Sequence, residues 1–130
     1  MTRGDDSPYF LWGVKSSLRS YISGAAGELQ VSRGAELVDG EIRFAASEER
    51  AGAYRGTVRL LAHGGLLDWK FSDPEFDAES HELTVVNSAG QRFALALVAD
   101  ANHPKLTGEG SVFFDGMYPS GSELDPMVFG

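Results

Sequence analysis

The sequence contains no cysteine. That excludes disulfides, thiolate metal sites and a cysteine nucleophile. It also lacks any excess of positive charge: 11 Lys and Arg stand against 19 Asp and Glu, a formal net charge of −8. Nucleic acids and anionic membrane surfaces both select clustered Lys and Arg, so neither is an expected partner. No apolar run approaches the ~18 residues of a membrane-spanning helix. The opening MTRGDDSPYF has no basic stretch followed by ~7–15 apolar residues and does not read as a secretory leader. Location therefore divides two ways: inside the cell if the chain is complete, outside it if a leader has been removed.

The usual catalytic motifs are also missing. The histidines are His63, His81 and His103, none at the i, i+4 spacing of a zinc helix. There is no aspartate-rich calcium loop. GxGxxG after a strand, GK[ST] and GxSxG do not occur, and the GEG at Gly108–Gly110 stands alone. The motif content does not indicate an enzyme.

What remains is a globular composition. Hydrophobic residues make up 42% and charged residues 23% of 130, close to the average for one folded domain of this length. Sixteen glycines among short apolar runs point to strands joined by tight turns. Residues 1–8 are polar and expected to be flexible. In WGVKSSLRSYISG (12–24), Val14, Leu18, Tyr21 and Ile22 fall at i, i+4, i+7 and i+8, one face of a helix about 14 Å long that only tertiary contacts can hold. Gly24 and Gly27 end it. By default a tyrosine on such a face packs into the core.

Beyond the helix the period changes to two. GELQVS (27–32), EIRFAA (41–46), YRGTVRLLA (54–62), ELTVVN (82–87) and RFALALVA (92–99) read as strands. HGG (63–65) is a turn, and LLDWKF (66–71) returns as the second arm of a hairpin that Asp73-Pro74 interrupts. Along RFALALVA the small Ala94 and Ala96 lie opposite Phe93, Leu95 and Leu97, a face able to take something bulky. LTGEGSVFF (106–114) contains a helical turn, and MYPSGSELDPMVFG (117–130) is loop-like but apolar enough to pack. The prediction is a mainly β domain, antiparallel and sandwich-like, with a short N-terminal helix and a second near residues 107–114.

Three separated blocks carry more information together than singly. WGVKSSLRSYI near the start, AHGGLLDWKFSDPEF (62–76) in the middle and LTGEGSVFFDGMYPSGSELDPMVF (106–129) at the end resemble, in order, the signatures of the HtaA domain, a bacterial haem-uptake domain. The resemblance spans nearly the whole chain and implies a single haem-binding domain over 1–130. In the family, the helix tyrosine is the axial iron ligand, a histidine bonds its oxygen, and a late tyrosine matters for haem. Their counterparts are Tyr21, His63 and Tyr118. The implied ligand is ferric haem b, passed to a transfer partner protein in iron acquisition, and a partly open haem face implies a possible homodimer. The physics is coherent: a free phenol ionises only near pH ~10, but ferric iron favours the hard phenolate. Ser17, one turn before Tyr21, is placed to donate to a propionate, and Lys15 and Arg19 read as a solvated helix face. A haem-degrading or peroxidase-like enzyme and a non-binding interaction module are the alternatives. The family is usually secreted or anchored to the envelope, whereas this chain carries neither leader nor anchor. Its SEERAGAYRG loop is also short for the family.

Overall fold

The structure, a computed structural model, describes residues 8–130. The expectation of flexibility for residues 1–8 falls almost wholly outside that span. The chain is mainly β, with antiparallel sheets and two short helices. Among the described residues, no helix is long and apolar enough to cross a membrane.

Two sheets face each other. The first is built from β1 (Tyr9–Trp12), β3 (Ala35–Val38), β4 (Glu41–Ala46) and β11 (Met127–Phe129), ordered β11-β1-β4-β3, with β5 (Tyr54–Arg55) paired to β4. The second contains β2 (Glu28–Ser32), β6 (Thr57–Ala62), β7 (Leu67–Asp77), β8 (Glu82–Val86), β9 (Arg92–Leu97) and β10 (Lys105–Leu106), ordered β10-β9-β8-β7-β6-β2. Every pairing in both sheets is antiparallel. The alternation in EIRFAA does what its period demands: Ile42 and Phe44 are fully buried. Phe44 and Trp12 of the first sheet reach Phe71 of the second at ring separations of 6.4 and 6.3 Å. Burying each such side chain contributes about 1.5–3 kcal/mol.

Three details differ from the sequence reading, each for a local reason. YRGTVRLLA is two strands, because the chain changes sheet at Gly56 (φ 149), where a side chain would meet Ala35 Cβ at 2.5 Å. Asp73-Pro74 does interrupt the pairing, but as a bulge inside one continuous β7: the register to β8 shifts between Ser72 and Glu75. The first block is not helical from Trp12. Trp12 closes β1, and Val14 turns the chain at φ 65.

The helix α1 (Ser16–Gly24) sends Leu18 and Ile22 into the core. Its exit is pressed onto the end of β6, where a side chain on Gly27 would collide with the Leu61 carbonyl. The second helix, α2 (Gly108–Phe113), is capped by Thr107, whose hydroxyl accepts from the Gly110 N–H at 2.8 Å. It lies over β9: Gly110 approaches the Leu95 carbonyl so closely that a Cβ would sit 2.5 Å from it, and Phe113 stacks on Phe93.

Candidate functional site

The outer end of β6 delivers the first candidate side chain. His63 follows Ala62 and opens a three-residue 3-10 turn to Gly65, with φ of 55, 66 and 96 at His63, Gly64 and Gly65. Left-handed backbone is permissive for glycine and costs other residues roughly 1–2 kcal/mol. Two glycines therefore complete the turn, while His63 carries strain. A cleft of about 290 Å3 opens beside it, bounded by Ala26–Glu28 and Leu61–Gly65.

The second side chain comes from α1. Leu18 and Ile22 fix the buried stripe, and Tyr21, one residue of rotation away, stands at its rim with 39% of its surface exposed. The default core assignment for Tyr21 is incorrect. Its hydroxyl lies 2.6 Å from His63 Nε2, and the two rings meet edge-on at 64°. With the ring proton on Nδ1, the phenol O–H donates to Nε2; once the phenol has lost its proton, Nε2–H donates to the phenolate. The pair is an acid and a base already in contact, open to solvent.

Around it the third block folds back. Tyr118 packs edge-on against Phe114 at 5.9 Å, with Lys15 Nζ 5.4 Å above its ring. Burial pushes the Tyr118 phenol above its ordinary value; a hydrogen bond with Ser17 pulls the other way, and Tyr21 adds to the rise. Ser17, Tyr21, His63 and Tyr118 therefore form one constellation drawn from α1, the 3-10 turn and the segment after α2. Lys15 is tied to the Glu123 carbonyl at 2.7 Å. Glu123 in turn bonds His103 and Lys105, which hold its carboxyl at about 2.

Arg19 is not a solvated charge. Its guanidinium donates to the Gly13 carbonyl at 2.9 Å, the Gly40 carbonyl at 3.3 Å and Asp125 at 2.8 Å. Sequence reasoning missed Asp125 as a partner of this helix, although α1 has no capping side chain of its own and no acidic residue in its first turn. It also missed two exposed apolar side chains: Leu66, three residues past His63, is 92% exposed, and Met117, next to Tyr118, is 40% exposed. Among the described residues, no three His, Asp or Glu side chains converge to hold a bare metal ion.

Comparison with known proteins bears on the family and the fold. The model of the family described as Htaa matches residues 7–130. Of the solved structures, the C-terminal domain of HtaA from Corynebacterium glutamicum is 25% identical with a TM-score of 0.69, over 95% of this chain and 94% of that one. The N-terminal domain of the same protein is 23% identical with a TM-score of 0.73, over 94% of each chain. The heme binding protein HtaB from the same organism is 21% identical with a TM-score of 0.67, over 93% of this chain and 90% of that one. No curated protein matches the chain.

Proposed function

The chain belongs to the HtaA family, and from that premise we propose that it binds ferric haem b as cargo through the Tyr21 phenolate, with His63 assisting, and passes it to a partner protein. The observation that carries the reading is the 2.6 Å contact between the Tyr21 hydroxyl and His63 Nε2 on an exposed helix rim. A tyrosine serving only to pack would turn its side chain inward, as the neighbouring Ile22 does.

The residues present fit the ligand. Bound haem supplies a ferric centre that accepts an anionic oxygen and two propionates that need donors. Tyr21 presents a hard oxygen donor of the kind ferric iron prefers. His63 Nε2 is in place to take the phenol proton and then to hold the phenolate by donating back to it. The Ser17 hydroxyl and the Tyr118 phenol, close to each other, are donors for a propionate. Leu66 and Met117 offer the apolar contact that a porphyrin face requires. A site this open suits a protein that must give its ligand up, and a binding role rather than catalysis. The similarity to HtaB, a heme binding protein, points the same way.

Adding haemin to the apoprotein tests the reading. Wild type should show a high-spin ferric spectrum with phenolate-to-iron charge-transfer bands. Tyr21→Phe should lose those bands. His63→Ala should keep them while haemin affinity drops by about 10–100-fold, the usual effect of removing a partner of a metal ligand. A Tyr21→Phe spectrum identical to wild type sinks the ligand assignment.

A further inference from the structure

We propose that Asp125 is the positioning residue of α1: its carboxylate sets where the helix begins and how it is rotated, and thereby where the Tyr21 oxygen stands relative to His63. The proposal rests on the haem reading only for one of its two readouts.

Asp125 spends every polar atom it has on the start of this helix. Its backbone N–H donates to the Val14 carbonyl at 2.9 Å, and its carbonyl accepts from Trp12 Nε1 at 2.9 Å. Its Oδ1 accepts from the Ser16 N–H at 2.8 Å, and its Oδ2 from Arg19 Nη2 at 2.8 Å. Helices ordinarily take this service from their own first residues. Here Lys15, at the cap position, makes no side-chain cap bond, and the first turn has no acidic residue. The anion that satisfies the free Ser16 N–H and faces the positive end of the helix arrives from 109 residues away in sequence. Gly13 completes the seat: any side chain there would lie 2.8 Å from Asp125 Oδ2 and 2.9 Å from Arg19 Nη2.

The mechanical consequence follows from the short helix. Its exit is fixed on β6 by the close approach of Gly27 to Leu61, immediately before His63. Its entry is fixed by Asp125. Two anchors define the axis, and Tyr21 lies between them, five residues beyond Ser16 and so about 7.5 Å along the helix. A hydrogen bond of 2.6 Å does not survive a shift of ~1 Å. Releasing the entry anchor lets α1 tilt about the remaining one, which moves the phenol away from the imidazole.

The test compares Asp125→Ala and Asp125→Asn with Leu83→Ala, a core substitution that lowers stability from β8, two strands away from β6 in the second sheet. In apoprotein, the 15N resonance of His63 Nε2 reports whether it is hydrogen-bonded to Tyr21. Asp125→Ala should move it to its Tyr21→Phe value, Asp125→Asn should move it part of the way, and Leu83→Ala should leave it at wild type. With haemin bound, dissociation should quicken about tenfold in Asp125→Ala and less in Asp125→Asn. If Asp125→Ala does not fold, Asp125→Asn decides by the same resonance. A wild-type His63 resonance in the folded Asp125 variants overturns the proposal, as does an equal shift in Leu83→Ala. Failure of wild type to bind haemin overturns the haem reading instead and leaves the apoprotein result to judge Asp125.

Discussion

At the scale of single residues, backbone strain falls on the imidazole that meets Tyr21. His63 sits at φ 55, in a region that suits the two glycines behind it and not a side chain. Replacing it by alanine or by glycine removes the same contact with Tyr21, so the difference between the two variants isolates the backbone. His63→Gly should be more stable than His63→Ala by about 1 kcal/mol, read from urea midpoints. The second phenol gives a titration to follow. Burial raises Tyr118 and Ser17 opposes it, so Ser17→Ala should drive the phenol further up. Alkaline titration at 295 nm, with Tyr118→Phe as the blank, measures the shift. Residue type and order in the sequence pointed to this constellation through family resemblance. Periodicity pointed elsewhere for Tyr21, because a helical stripe read from Val14 onward includes it, whereas the real helix begins two residues later and leaves it at the rim.

At the scale of elements, alternation was legible where one face of a strand is buried. EIRFAA and ELTVVN carry that signal: the first coincides with β4, and the second runs one residue, Asn87, past the end of β8. The missed strands had none to show. YFLW is apolar throughout, while AELV and MVF each bury only their first residue at the edge of the first sheet. Helix α2 was expected as a helical turn within LTGEGSVFF, but its capping threonine and its packing were not read. There Gly110→Ala sets two effects against each other. Alanine favours a helix by about 0.8–1.0 kcal/mol over glycine, yet its Cβ would lie 2.5 Å from the Leu95 carbonyl, an overlap costing roughly 1–3 kcal/mol. The overlap should win, and urea unfolding should show a net loss. The segment between α2 and β11 carries a charge signal of its own. Glu123 is ionised down to about 2, against its usual 4.5, because His103 and Lys105 bond it. A carboxyl depressed in the folded state contributes stability above its unfolded value and loses it as pH falls through the folded one. The wild-type advantage over Glu123→Gln in urea midpoint should be present at pH 6, shrink below 4.5 and vanish near pH 2. A constant difference across that window would count against the assignment.

At the scale of the whole molecule, one cluster of buried side chains joins both sheets and α1. Phe44, fully buried and facing both Phe10 and Phe71, lies at the junction. Phe44→Ala should cost about 3–5 kcal/mol and shift far-ultraviolet and near-ultraviolet circular dichroism midpoints together, as a shared core requires. Separate midpoints would mean that the sheets melt independently. The same long-range economy appears where β1 meets β11. Tyr9 and Gly130 exchange both of their backbone hydrogen bonds, at 3.2 and 2.9 Å, so residues 9 and 130 are neighbours across a ladder. Topologically the described chain is a ring opened at one stitch. A permuted protein, with that stitch closed by a short peptide and a new opening cut in the exposed charged loop after β4, should rebuild the same Tyr21–His63 pair, since neither α1 nor the 3-10 turn depends on which bond is left open.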